Sequence, residues 1–179
     1  MLGVAALAEA VLLLAALQKL VMPAPAAEAL RSAGLPVPRG VVRVGAGMEA
    51  VAAGGALLSG WPVFAAVVAL CYLAFAAFIV RALRRPGAVP SCGCFGAPRN
   101  GSATPPTWTH FVFDLAAAVI CGAVSVAPVP GLWSGLGRQP LGGVPLLGLV
   151  ALGGWLSWMA LTVAPETATR RNEREMTRA

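Results

Sequence analysis

Residues 61–83 read WPVFAAVVALCYLAFAAFIVRAL, twenty-three positions whose only charge is Arg81, near the end. A bilayer core is crossed by about 20 apolar residues when they form a helix, because a helix satisfies its own backbone polar groups. The stretch therefore reads as a membrane span. Similar apolar runs occupy residues 2–22, 41–59, 108–127 and 141–163. The run at 41–59 is the least apolar. It holds Arg43 and Glu49, and its Gly45, Gly54 and Gly55 among many Ala suggest a helix packed closely against others.

Composition agrees with the runs. Of 179 residues, 58% are hydrophobic and 11% charged, whereas soluble globular chains have about 45–50% apolar and about 25% charged residues. Such a chain is neither disordered nor a disulfide-stapled secreted domain nor an ordinary cytosolic enzyme. The expected fold is an all-α polytopic membrane bundle of about five transmembrane helices. It forms one domain over residues 1–165, followed by a basic cytoplasmic tail at 166–179. The first run has no charged segment before it and contains Glu9 and Lys19, so it reads as a retained helix rather than a cleaved signal peptide.

A net charge of +6 would suggest nucleic acid in a soluble protein; here it sorts by membrane side, and no nucleic-acid partner is expected. With the N-terminus outside, the cytoplasmic side receives Lys19, Arg31, Arg39, Arg43, Arg81, Arg84, Arg85, Arg99, Arg170, Arg171, Arg174 and Arg178, and the outer side Arg138 alone. Lys and Arg accumulate on the cytoplasmic side, so the expected location is a bacterial-type inner membrane, N-terminus outside and C-terminus inside. Trp61, Trp108, Trp133 and Trp158 fall near span ends, where Trp anchors at headgroups. Between the first two runs, Pro25, Glu28 and Gly34 suit the first turn, the positive end and the C-terminal cap of a short interfacial helix.

The sharpest chemical feature is Ser91-Cys92-Gly93-Cys94-Phe95-Gly96, between the third and fourth spans. Gly93 permits the tight turn that a bridge between Cys92 and Cys94 requires, and so small a ring favours an easily reduced bond. Arg81, Arg84, Arg85 and Arg99 lie close in sequence, and positive charge favours the reactive thiolate. The pair reads as redox-active or as a soft-metal site; two unreactive thiols in a turn are the plain alternative.

CGCFG after the third span resembles the MauE family, named for methylamine utilisation and related to the DoxX-like membrane proteins. Lys19, Glu49 and Arg81 match the family's Lys near the end of the first span, Glu in the second, and Arg just before the motif. Where the family carries Arg-Asn near the start of the fourth span, this chain has Phe113-Asp114. The resemblance implies a four-helix core followed by a further C-terminal helix. It also implies a redox role in disulfide formation or electron transfer, with a thioredoxin-like or exported thiol protein as partner. DoxX-like relatives suggest quinone as electron acceptor; the residues alone fix no cofactor.

Depth along the spans, at about 1.5 Å per residue, groups four polar residues in the inner half of the membrane. Glu49 lies about 12 Å and Asp114 about 10 Å from the inner end, with Lys19 and His110 about 3–5 Å in. His110 and Asp114 share a helix face, which Cys121 extends. Ionisable groups at such depth usually face a cavity or a partner. Lys19, Glu49, Arg81, His110 and Asp114 therefore form either a polar pocket supporting Cys92 and Cys94 or an ion-pair lock between helices. Glu9, near the outer side, reads as structural. Cys71 and Cys121 read as small buried hydrophobes, with a thiol relay as the alternative.

These observations lead to a membrane thiol–disulfide oxidoreductase with Cys92 and Cys94 as its catalytic pair. A non-enzymatic anchoring subunit that docks a soluble redox partner, and a Cu(I) or Zn carrier, are the alternatives. The charge distribution places the Cys pair on the reducing cytoplasmic side, whereas oxidation of exported proteins needs it outside. We follow the charges.

Overall fold

Proline and glycine punctuate this chain, and the helix boundaries follow them. The computed structural model describes residues 2–84, 106–127, 130–131, 134, 148 and 151–156. Their helices are α1 (Leu2–Val21), α2 (Ala24–Ser32), α3 (Arg39–Ser59), α4 (Pro62–Leu83) and α5 (Trp108–Val126). Among the described residues there is no strand. Helices α1, α3, α4 and α5 are long and apolar enough to cross a bilayer, so the chain is an all-α polytopic membrane bundle.

Pro23 caps the start of α2, and Gly34 ends it at φ 80°. The N–H of Leu35 donates to the carbonyl of Leu30 and that of Gly34 to Arg31. This double closure is the Schellman ending, which needs a left-handed residue and so favours Gly. Glu28, expected at the positive end of α2, stands in the second turn instead and pairs with Arg31 at 2.5 Å on the surface. Pro38 is the N-cap of α3, which starts at Arg39, two residues before the apolar run. Polar and glycine residues outside the hydrocarbon extend a helix without any hydropathy signal. Gly60, at φ 68°, closes α3, and Pro62 opens α4.

The interior is built from small side chains. Ala8, Ala52, Ala53, Ala117 and Ala118 surround Leu12, Val68, Tyr72 and Cys121. Larger apolar residues such as Val51, Leu70 and Val119 face outward. In lipid, outward apolar groups cost nothing, and helices associate where small residues let backbones approach. The alanines carry this packing more than the glycines do. Of the three glycines expected to pack closely, only Gly55 is tight, against the Phe64 ring; a Cβ at Gly45 or Gly54 would meet open space.

α4 packs chiefly on α5, and α1 on α3. The Tyr72 hydroxyl donates to the carbonyl of Ala8 at 2.7 Å and so ties α4 to α1. Residues 151–156 are helical, and Gly153 closely approaches Leu7 of α1. The rest of the expected span at 141–163, the tail at 166–179, and Trp133, Trp158, Arg85, Arg99 and Arg138 lie outside the described residues.

Candidate functional site

Lys19 sits in the last turn of α1, and Glu49 stands ten residues beyond Arg39, the first residue of α3. At about 1.5 Å per residue that is about 15 Å into the helix, near its middle, deeper than the apolar run alone indicated because α3 begins earlier. Lys19 Nζ donates to Glu49 Oε2 at 2.5 Å, with both side chains largely buried. The same ammonium lies 4.4 Å from the centre of the Phe75 ring. One cation is thus held by a carboxylate and an aromatic face, which offsets the desolvation that either charge would suffer alone.

This pair forms one wall of a half-open cleft of about 560 Å³ between α3 and α4. Helix α2 bridges the two at one end. Its Ala29 and the C-cap Ala33 pack on Ala82 and Phe78 of α4, while Ala26 and Ala27 pack on Val42 of α3. Arg81 stands where α2 meets α4, and its Nε donates to the carbonyl of Ala33 at 2.8 Å. Apart from Lys19, Glu49 and Arg81, the lining is apolar or glycine.

His110 and Asp114 do not line the cleft. His110 is buried at the start of α5, where its Nδ1 accepts from the backbone N–H of Thr107 at 3.3 Å and lies 2.7 Å from the Thr107 hydroxyl. The side chain completes a reciprocal helix cap. Asp114 is half-buried one turn further along. The residues grouped by depth thus divide between the cleft and α5. Cys71 and Cys121 are both free thiols, and both pack with the main core. Cys92 and Cys94 lie outside the described residues.

Sequence reasoning did not single out Tyr72 or Phe75. Tyr72 is the chain's one tyrosine, set in an apolar run, and that isolation was the available signal: a phenol in hydrocarbon must find an acceptor.

The family model of the methylamine utilisation protein MauE matches residues 1–127, which takes in helices α1 to α5. The chain belongs to the MauE family. No curated protein and no solved structure matches it. The MauE match covers Lys19, Glu49, Arg81, the Cys pair, His110 and Asp114, and it stops just beyond α5, before residues 151–156. Four bilayer-length helices in the described residues make this MauE-family chain a multi-pass membrane protein.

Proposed function

We propose that this MauE-family protein is a membrane thiol–disulfide oxidoreductase whose working pair is Cys92 and Cys94. The observation that carries the reading is the Cys92-Gly93-Cys94 sequence following a basic helix end. Arg81 and Arg84 close α4, eight residues before Cys92 at the nearest. Cationic surroundings favour thiolate over thiol, and the thiolate is the nucleophile.

The exchange balances as follows. A thiolate of the pair attacks one sulfur of a disulfide in a thioredoxin-like partner, giving a mixed disulfide and releasing the partner's other thiolate. The second Cys of the pair attacks the mixed bond, so that Cys92 and Cys94 become bridged. The partner leaves as a dithiol, having gained two electrons and two protons. The reverse sequence oxidises a dithiol partner that meets the Cys pair on its own side of the membrane. Quinone enters this reading only as a sink for two electrons and two protons, and no residue is assigned to hold it. Arg81, at the end of the helix that the Cys pair follows, serves the exchange through its positive charge. The distribution of Lys and Arg supports an N-terminus outside and a C-terminus in the cytoplasm of a bacterial-type cell.

The test is disulfide exchange with thioredoxin as a model partner, using the full chain in membranes. Cys92→Ser and Cys94→Ser are each expected to abolish exchange while insertion is unchanged. Full exchange by both variants would transfer the reading to a docking subunit.

A further inference from the structure

The cleft beneath α2 has one apolar end, one cationic corner, and an opening on its side. Leu30, Val42, Phe75 and Phe78 supply apolar walls, and Gly45 leaves the space between them unfilled. At about 560 Å³ the cleft falls within the usual range for small-molecule sites, about 300–1,000 Å³. Val41 and Leu35 at its rim are exposed, so it is entered laterally rather than sealed.

Arg81 marks the polar end. Its Nε is held by Ala33, which orients the guanidinium, and its two terminal amino groups have no hydrogen-bond partner among the described residues. The two acids nearest the cleft are already taken, Glu28 by Arg31 and Glu49 by Lys19. Arg39, Arg43 and Arg84 add exposed positive charge, and among the described residues none of them forms an ion pair. An oriented guanidinium with open donors matches a phosphate diester, which it can bind through two parallel hydrogen bonds. Basic pockets between transmembrane helices, next to apolar space, are where anionic lipid headgroups bind.

We infer that the cleft between α3 and α4 is a discrete site for one anionic phospholipid, with its phosphate on Arg81 and one acyl chain along Phe75 and Phe78. Charge complementarity selects the headgroup, and the apolar walls select a lipid over a free phosphate. The bound chain fills the gap between α3 and α4 and joins them through α2. The lipid site shares Arg81 with the proposed thiol chemistry, but lipid binding requires neither Cys92 nor Cys94.

Native mass spectrometry of the full chain in detergent, titrated with phosphatidylglycerol or phosphatidylcholine of the same chain length, tests the inference. One phosphatidylglycerol is expected to bind at least ~10-fold tighter than phosphatidylcholine, whose quaternary ammonium offsets the charge of its own phosphate and is repelled by Arg39, Arg43 and Arg84. Arg81→Gln should bring the two within ~3-fold, the residual left to unoriented surface charge. Arg84→Gln should preserve the preference. Gly45→Leu, which fills the cleft, should lower occupancy by both lipids.

An undiminished preference in Arg81→Gln, or equal loss in Arg81→Gln and Arg84→Gln, overturns the site in favour of diffuse surface charge. Displacement of the lipid by inorganic phosphate overturns the acyl-chain half, and displacement by a short-chain quinone reassigns the cleft. Should Arg81→Gln fail to fold, a phosphatidylglycerol carrying a photoreactive acyl chain decides the matter on the unaltered protein. Labelling concentrated on the peptide holding Phe75 and Phe78 supports the site, and equal labelling of Leu115 and Val119 on α5 contradicts it.

Discussion

Lys19 and Glu49, thirty residues apart in sequence, meet at 2.5 Å inside the bundle and join the end of α1 to the middle of α3. A buried ion pair is costly to form and costlier to halve, because removing one partner leaves the other charge desolvated and unmatched. Lys19→Met is therefore expected to lose about 3–5 kcal/mol of stability. The double variant Lys19→Met with Glu49→Met should recover most of that loss. Equilibrium unfolding in detergent measures both; a double variant less stable than the single would contradict the pairing.

The turn between α3 and α4 makes a steric demand. Gly131 lies so close to the α3–α4 connection that an added Cβ would collide with the carbonyl of Leu58 and come within 2.6 Å of the Gly60 nitrogen. Gly131→Ala should cost about 1–3 kcal/mol, the usual range for overpacking. Gly122 on α5 has open space at the same position, so Gly122→Ala should be neutral or stabilising by up to about 1 kcal/mol. Thermal unfolding of the two variants side by side checks the contrast.

Tyr72 tests the link between α1 and α4. Its hydroxyl donates to Ala8, and its ring stands edge-on to Phe75 and Phe113. Tyr72→Phe keeps the ring packing and removes only the donor. The expected loss is about 1 kcal/mol, read by the same unfolding measurement, with helix content unchanged by circular dichroism.

The first four spans were legible in the sequence because apolar length and Pro or Gly punctuation are local properties. Pro23, Gly34, Pro38, Gly60 and Pro62 each mark a boundary that the helices respect. Pairings were less legible, because they depend on helix rotation and on how far one helix protrudes past another. Glu49 and Lys19 were both marked as costly in lipid and as possible partners in an interhelical lock, and which partner Glu49 takes was settled only by how α1 and α3 pack. His110 carried the same sequence signal as a pocket residue, but its place three residues after Thr107 makes it a cap. Gly45 and Gly54 looked like packing residues; alanines do that work, and Gly45 borders the cleft instead.

Glu9 is buried, at 5% exposure, and makes no hydrogen bond or ion pair with a described residue. It borders a cavity of about 10 Å³ near Gly60 and Gly131, roughly the room for one water. An unpaired buried carboxyl contributes no stability as a charge. Glu9→Gln, of nearly the same shape, should therefore unfold within about 0.5 kcal/mol of the parent, as substitutions that break no specific interaction do. A larger loss would show that the acid itself holds the helices together.

The central claim is that Cys92 and Cys94 form a reversible redox pair. A mass-based count of alkylated thiols, made on membranes poised at a series of redox potentials, tests it most directly. Cys71 and Cys121, set in the helical core, should remain thiols and react slowly at every potential. Cys92 and Cys94 should react quickly when reduced and vanish together as the potential rises, with a loss of two hydrogens in mass and full recovery on reduction. If the two thiols never pair at any potential, the account of this protein as a thiol–disulfide oxidoreductase is wrong.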